Sequence, residues 1–187
     1  MGGGKPMRVV SVNVGLPKPL VWDGHQVLSG IFKEPVDGRI VAGKLNMDGD
    51  RQADLSVHGG IDKAVYAYPI EHYDFWRSTI AGVVLPPGSF GENLTVEGLT
   101  EENIFVGDCL RIGTAELIVT QPRTPCYKLA AKFGSISIVR QFLESGFSGF
   151  YLAVLREGDI GKGDAIHLIS QAEQRVSIAD INNRRRR

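Results

Sequence analysis

Residues 106–120 read VGDCLRIGTAELIVT, and this stretch decides the fold class. Apolar and polar side chains alternate on both sides of Gly113, and a Gly-Asp turn precedes the first run. Such alternation between turn residues is typical of β-strands that bury one face. The stretch therefore predicts two short strands, at residues 109–112 and 115–120.

The same pattern recurs along most of the chain. It predicts seven further strands, at residues 7–14, 26–32, 39–45, 64–68, 93–96, 150–155 and 165–169. Gly, Pro, Asp and Asn separate these segments, and no βαβ alternation is visible. Many short strands with frequent turns favour a closed or nearly closed barrel or a sandwich, because closure removes exposed sheet edges. We therefore expect a mainly β protein.

Three helices are expected between the strands. The first covers residues 69–79, which open with a proline and carry apolar side chains at helical spacing, and Trp76 is expected in the core. The second begins at residues 124–126 and ends at Gly134, a glycine suited to a helix C-terminus. The third covers residues 136–145.

Length and composition indicate one ordinary globular domain. The chain has 187 residues, of which 43% are hydrophobic and 22% charged, and no apolar run is long enough to span a membrane. Without the terminal run Arg184 to Arg187, which we expect to be solvated, 17 basic side chains face 21 acidic ones. This slightly acidic body argues against nucleic-acid binding.

Cysteine usage and the N-terminus predict the compartment. Two cysteines, Cys109 and Cys126, are too few for a disulfide framework and fit a reducing environment. The N-terminus lacks the apolar core of a signal peptide. We therefore expect a soluble cytoplasmic protein.

The two cysteines differ in their surroundings. Cys109 lies in an alternating strand, where a small thiol most often packs as core. Cys126 follows Thr124, a suitable helix N-cap, and Pro125, a suitable first helical residue. This spacing predicts Cys126 in the first helical turn, where backbone N–H groups and neighbouring Arg123 favour a thiolate. Such a thiolate is either a nucleophile or a soft metal ligand.

Three other segments carry candidate anion-binding groups. His58, Gly59 and Gly60 precede Lys63, and paired glycines let backbone N–H groups approach an anion while the lysine adds a charge. A tight turn also explains the glycines. Asn93 can offer a donor and an acceptor to a heterocycle edge, or belong to a routine turn. Lys33 either reaches an anion or lies in solvent.

Several familiar sites are missing from the sequence. The two cysteines and four histidines show no zinc spacing, and no P-loop, dinucleotide fingerprint or serine elbow occurs. The residues alone thus predict one thiolate among anion-binding groups, without naming a cofactor.

Four motifs in order resemble the MOSC family, named for the C-terminal domain of molybdenum cofactor sulfurase, and specifically its YiiM-like branch. They are GIFKEPV at residues 30–36, DLSVHGGIDKAVY at 54–66, FGENLT at 90–95 and PRTPC at 122–126. The resemblance extends from about residue 7 to residue 169. It implies a β-barrel with a few peripheral helices.

The resemblance also implies a molybdenum cofactor, in which molybdenum is bound by molybdopterin. Cys126 would ligate the metal through its thiolate and be the catalytic residue. Seven positions match family motifs and would line the pterin and its phosphate: Lys33, His58, Gly59, Gly60, Lys63, Asn93 and Arg123.

Related enzymes of this branch reduce N-hydroxylated compounds, including N-hydroxylated purine bases, to amines. The chain has no flavin or nicotinamide motif, so the resemblance implies electrons from a separate reductase. Two other hypotheses stay open. The protein could carry the cofactor, or sulfur as a persulfide on Cys126, without turnover of its own, or it could be a barrel without a cofactor.

The resemblance divides the chain into a MOSC barrel domain at residues 1–170 and a tail at 171–187. Longer members of the branch continue into a small helical bundle, and residues 176–183 resemble its start. A homodimer is compatible with the sequence, although no heptad or apolar stripe argues for one. We expect no membrane and no nucleic-acid partner.

Overall fold

The computed structural model describes residues 6–51, 59–80 and 82–186. In these ranges the chain forms twelve strands and four α-helices. The strands are β1 Arg8–Val14, β2 Lys18–Trp22, β3 His25–Ser29, β4 Glu34–Pro35, β5 Arg39–Ala42, β6 Val65–Pro69, β7 Leu94–Glu97, β8 Cys109–Ile112, β9 Ala115–Pro122, β10 Phe150–Arg156, β11 Gly158–Gly161 and β12 Ile166–Ser170. The helices are α1 Tyr73–Thr79, α2 Tyr127–Phe133, α3 Ser137–Ser145 and α4 Ile178–Arg185, and short 3-10 helices cover Ile61–Lys63 and Ile70–His72.

Eight strands form one large mixed sheet in the order β12-β8-β9-β10-β6-β7-β1-β4. The β6–β7 pair is parallel and the other pairs are antiparallel. Two small sheets join β11 to β5 and β2 to β3. The protein is therefore mainly β, as the alternating sequence pattern predicts.

The start of β1 also contacts the chain just before β12. Val9 N–H donates to the Asp164 carbonyl at 2.9 Å, Gly163 N–H donates to Val9 O at 2.8 Å, and Ile166 N–H donates to Met7 O at 2.9 Å. An isolated bridge pairs Arg8 with Ala165. The large sheet thus curves until two of its distant strands approach each other.

All nine strands predicted from the alternation are present within a few residues. Three strands were not predicted: β2 contains a proline, β4 is two residues long, and β11 is rich in glycine. No repeated βαβ alternation occurs among these strands, but β6 and β7 are parallel and α1 lies between them in the chain. Because this strand–helix–strand unit occurs once and a long loop separates α1 from β7, the sequence shows no repeated alternation of strands and helices.

Apolar side chains form two clusters on the described part of the chain. One lies against the large sheet and includes Val12, Leu94, Leu117 and Leu152. The second is aromatic and packs beneath the helices. Trp76 belongs to it and is fully buried, which confirms the expectation of a core position.

The three predicted helices end where expected but start later than predicted, and the first begins as the 3-10 helix Ile70–His72 before α1. Helix α3 starts one residue later than predicted, and α2 ends at Gly134, whose φ of 64° is left-handed. The start of α2 is at Tyr127, so the prediction that Cys126 lies in the first helical turn is wrong. Cys126 is the extended N-cap residue instead, with φ −132° and ψ 176°.

The C-terminal helix α4 packs on the body of the protein. Ser177 and Asp180 form a capping box at its start. Ile178 N–H donates to the Ile104 carbonyl at 3.1 Å, and Ala179 N–H donates to the Glu101 carbonyl at 2.9 Å. None of the helices in the described ranges has the length and apolar character needed to cross a membrane.

Candidate functional site

A cavity opens where the loop after β3, the residues around Asp50, the loop before β7 and the segment 123–128 meet. Five of the predicted residues line it: Lys33, Lys63, Asn93, Arg123 and Cys126. The cavity measures about 90 Å³, and about 660 Å³ when all of the space out to its open mouth is included. Motifs that lie far apart in the sequence therefore share one site.

Cys126 contributes the thiol of this cavity. It is half-buried immediately before α2, and its carbonyl accepts a hydrogen bond from Leu129 N–H at 2.9 Å. Because α2 has only seven residues and begins after Cys126, the helix itself gives the thiol limited electrostatic support. The stronger positive group nearby is Arg123.

Arg123 is a buried cation with an exposed fraction of 8%. One guanidinium nitrogen lies 3.5 Å from the Tyr66 hydroxyl, and the guanidinium lies 5.0 Å from the Tyr66 ring and 5.3 Å from the Phe142 ring. None of the ion pairs among the described residues includes Arg123.

The electrostatics of Arg123 involve Cys126. Burial acts to lower the pKa of Arg123, but the interactions with Tyr66, Tyr151 and Cys126 outweigh it, and the pKa lies above its usual range. Arg123 therefore stays charged next to the thiol. A neighbouring positive charge favours the thiolate form of a cysteine.

Lys33 lines the cavity, but its charge is balanced within the protein. It forms a buried ion pair with Asp50, a residue that the sequence did not single out. Burial lowers the pKa of Lys33, and Asp50 opposes that shift. In the Asp48-Gly49-Asp50 turn, no sequence signal distinguishes this carboxylate from an ordinary turn residue.

Asn93 has both ends of its amide engaged in the cavity wall. Its Nδ2 donates to Asp50 Oδ2 at 2.9 Å, and its Oδ1 accepts from Tyr66 N–H at 3.0 Å. Asp50 also accepts from Gly15 N–H at 3.1 Å. Asn93 and Asp50 thus fix β6, the Lys33 loop and the loop before β7 to one another, and the contact of Asn93 with a heterocycle stays a prediction.

Buried Glu92 organises the loop next to Asn93. Its carboxylate accepts from Gly88 N–H at 2.7 Å, Phe90 N–H at 3.0 Å and Thr95 Oγ1 at 2.9 Å, and also from the Tyr73 hydroxyl. Four donors satisfy a charge that would otherwise be costly to bury. The FGENLT motif therefore builds a rigid wall of the cavity.

Gly59 and Gly60 precede the short 3-10 helix Ile61–Lys63, whose last residue lines the cavity. Gly60 has a φ of 99°, which favours glycine, and Gly59 precedes it. Lys63 N–H donates to the Gly60 carbonyl at 3.0 Å, and Lys63 lines the cavity. His58 lies outside the described residues, so its predicted role remains a prediction.

Three further cations near Cys126 carry no signal in the sequence. Arg51 and Lys128 line the cavity. Lys132 donates from Nζ to the carbonyls of Ile31 at 3.1 Å and Gly88 at 3.4 Å, and burial lowers its pKa to about 8. An isolated lysine or arginine has no recognisable sequence motif, so only the tertiary structure shows that these residues lie close together.

Positive charge dominates the described lining of the cavity. Five cationic side chains line it, namely Lys33, Arg51, Lys63, Arg123 and Lys128, whereas Asp50 is the single carboxylate in that lining. Because Asp50 is engaged with Lys33, the remaining charge is positive. The cavity is therefore suited to an anion.

A bare metal ion would find too few protein ligands here. Among the described residues, no group of three or more His, Cys, Asp or Glu side chains is arranged to hold one. Cys126 offers one soft thiolate. A metal in this cavity would have to bring most of its own ligands, as a metal bound in an organic cofactor does.

Cys109 lies in different surroundings. It is half-buried in β8, and its Sγ lies 3.7 Å from the Gly107 carbonyl. Burial raises the pKa of Cys109, and Asp108 and Glu116 add to the effect. These contacts favour the neutral thiol, which agrees with the structural role expected for Cys109.

Comparison with known proteins identifies relatives of the chain. The MOSC domain family model matches residues 54–167. The protein YflK of Bacillus subtilis (strain 168) is 45% identical over 174 residues, which cover 93% of this chain and 78% of YflK. A protein of Gibberella moniliformis (strain M3125 / FGSC 7600) named Reductase is 31% identical over 185 residues, and this chain spans only 32% of its length.

A solved structure also matches. The crystal structure of YiiM from Geobacillus stearothermophilus superposes with a TM-score of 0.78 at 39% sequence identity. The alignment covers 95% of this chain and 83% of that structure. The likeness in fold therefore extends over nearly the whole chain.

Proposed function

The chain belongs to the MOSC domain family, and from this premise we propose that it is an oxidoreductase that reduces N-hydroxylated compounds at a molybdenum cofactor. A relative named Reductase aligns with 95% of the chain and supports the reaction class. The observation that carries the proposal is Cys126 beside the buried Arg123, in a cavity whose charge is mainly positive.

The residues present fit such a cofactor. Molybdopterin bears a phosphate, for which Arg51, Lys63 and Lys128 supply positive charge. Cys126 supplies the single soft ligand, and the pterin would bring the others. The cavity is open on one side, and its volume of about 660 Å³ out to the mouth leaves room for an organic cofactor.

When bound, the cofactor supplies the two-electron oxygen-atom chemistry that converts an N-hydroxyl group and two protons into an amine and water. Cys126 would hold the metal through its thiolate. Arg123 would favour the charged form of that thiolate, and the pair of Lys33 with Asp50 fixes one wall of the cavity. The protein thus contributes binding, orientation and electrostatics.

The electrons would come from a separate reductase, since the sequence carries no flavin or nicotinamide motif. N-hydroxylated purine bases are the substrates that we propose first. We also propose a cytoplasmic location, no membrane or nucleic-acid partner, and a homodimer as the assembly to test.

We further propose that the large sheet closes as a MOSC-type barrel. The support is the bridge between Arg8 and Ala165, with the three backbone hydrogen bonds around it. These contacts join β1 to the chain before β12, so that β4 would lie outside the ring.

The test is metal analysis together with pterin fluorescence on protein from a host that makes the cofactor. We expect molybdenum and pterin in the wild type, and loss of the metal or a change in its spectrum in Cys126→Ser. The matched control is Cys109→Ser, which changes the other half-buried thiol and should keep the metal.

Turnover provides the second part of the test. Cys126→Ala should abolish reduction of an N-hydroxylated base, by about a thousandfold or more, while the circular dichroism spectrum stays unchanged. Unchanged turnover in this variant would refute the proposal. Wild-type protein without metal or pterin, but with a sulfur-loaded Cys126 in intact mass spectrometry, would favour the sulfur carrier instead.

A further inference from the structure

A second cavity lies on the opposite side of the segment that carries Arg123. It is formed by α3, the residues Thr124 and Pro125, and the end of α4, and it measures about 370 Å³. This volume falls in the usual range of small-molecule sites. The corresponding volume of the Cys126 cavity is about 90 Å³.

Arginines give the second cavity a positive charge. Four of them line it: Arg123, Arg140, Arg185 and Arg186. Glu144 is the single carboxylate in its described lining, and Arg140 Nε lies 2.7 Å from it. Three guanidinium groups therefore remain without a carboxylate among the lining residues, and an anion would be attracted.

The rest of the lining is largely apolar. Pro125, Phe142 and Leu143 contribute carbon surface, and Asn182 adds an amide whose Nδ2 donates to Gly146 O at 3.0 Å and Ser148 Oγ at 2.8 Å. Aromatic or aliphatic groups gain free energy on such a surface. The cavity thus combines a place for a charge with a place for an apolar group.

Arg123 supplies a buried positive charge to the lining of both cavities. It is more than nine-tenths buried, and its guanidinium lies 5.0 Å from the ring of Tyr66, which lines the first cavity, and 5.3 Å from the ring of Phe142, which lines the second. A buried cation without a carboxylate partner is costly. Tyr66, Tyr151 and Cys126 offset this cost from the first cavity, and an anion in the second cavity would stabilise the charge further.

We propose that the second cavity binds a small organic anion, a carboxylate or phosphate attached to an apolar ring. The guanidinium groups from α3 and α4 hold the charge, and Phe142, Leu143 and Pro125 contact the ring. The site shares Arg123 and Thr124 with the Cys126 cavity, whereas its other lining residues belong to it alone.

The test is isothermal titration of the cofactor-loaded full chain with phenyl phosphate. We expect one site per chain, weaker binding of inorganic phosphate because it lacks the ring, and about a tenfold loss of affinity in Arg185→Ala and in Arg140→Ala. Arg184→Ala is the matched control, since Arg184 is exposed on the same helix outside this lining and its loss should leave the affinity unchanged.

A second pair of variants tests the cavity from α3. Leu143→Asp places a carboxylate in the lining and should repel phenyl phosphate. Ile136→Asp, at an exposed position just before the same helix, should not. Both altered side chains are already exposed, so the thermal unfolding midpoint should be kept.

Two results would overturn the proposal. One is the absence of detectable binding at about millimolar phenyl phosphate. The other is binding that Lys128→Ala abolishes while Arg185→Ala and Leu143→Asp leave it intact, because the ligand would then occupy the Cys126 cavity.

Discussion

At the scale of single residues, Arg123 and Lys33 show two ways of burying a cation in one cavity wall. Lys33 has Asp50 as a partner, and burial lowers its pKa. Arg123 has two aromatic rings and the neighbouring Cys126, and its pKa is raised. Arg123 is consequently the buried charge that can support a thiolate or an external anion.

Lys132 is the residue for which a pH effect can be predicted. Burial lowers its pKa from the usual 10.5 to about 8. Between these values the unfolded chain binds more protons at this position than the folded chain, so the free energy of unfolding should rise with pH. The penalty for the buried ammonium is complete below about pH 8 and disappears as the pH approaches 10.5.

The measurement is urea unfolding of the wild type and Lys132→Met across that pH window. We expect the wild type to gain stability relative to the variant as the pH rises. Lys162→Met serves as a control, since Lys162 is exposed in the turn before β12 and its removal should give a curve parallel to the wild type. Parallel curves for Lys132→Met as well would contradict the prediction.

At the scale of elements, the position of Cys126 depends on where α2 begins and on the loops that α2 contacts. Lys132, in the last turn of α2, donates to carbonyls of both the Ile31 loop and the Gly88 loop. Gly88 in turn lies against the Lys33 backbone. The Lys132 side chain and the close packing of Gly88 on the Lys33 backbone therefore hold three elements of the cavity together.

Gly88 offers a test of this close packing. Its φ is 88°, and a Cβ added there would lie 2.7 Å from the Lys33 carbonyl oxygen. Gly88→Ala should therefore cost about 1 kcal/mol for the backbone conformation and about 1–3 kcal/mol more for the collision. It should also weaken cofactor retention, because the Lys33 loop must move.

The matched control is Gly24→Ala in the turn between β2 and β3. Gly24 has a φ of 74°, but an added Cβ would contact nothing within 4 Å. This variant should lose only about 1 kcal/mol and keep the cofactor. Urea unfolding and metal content are measured for both variants. Equal losses of unfolding free energy and of metal in the two variants would show that packing at Gly88 is unimportant.

At the scale of the whole molecule, the curvature of the large sheet brings distant segments together. Antiparallel pairing builds most of it, and the βαβ unit from β6 to β7 inserts a parallel pair in the middle. Thr124 then meets α4 across the molecule, where Arg185 donates to its hydroxyl at 3.0 Å. The tail thus contacts the segment that carries Cys126.

Hydrogen exchange tests whether the sheet is closed. If β1 and the chain before β12 pair stably, the amide protons of Val9, Gly163 and Ile166 should exchange as slowly as those in the middle of β9 and β10. Amide exchange followed by NMR gives this comparison residue by residue. Rapid exchange at all three positions would indicate an open sheet.

The local sequence determined the strands, the glycine that ends α2, and the choice of Cys126 and Arg123 as a pair. Each of these depends on neighbours within a few residues: alternation buries one strand face, and only glycine adopts the left-handed conformation at low cost. The family resemblance added the order of the motifs, and the comparisons confirmed the family.

Only the tertiary structure decided which groups share the site and in what state. Asp50 pairs with Lys33 and Asn93, and Arg140 and Arg185 line the same second cavity, although none of these pairs is close in sequence. Packing of α2 against two loops also leaves Lys132 largely shielded from solvent. The physical reason is that burial and charge pairing depend on contacts made when the sheet curves and the helices pack, and a local pattern of residues does not encode those distances.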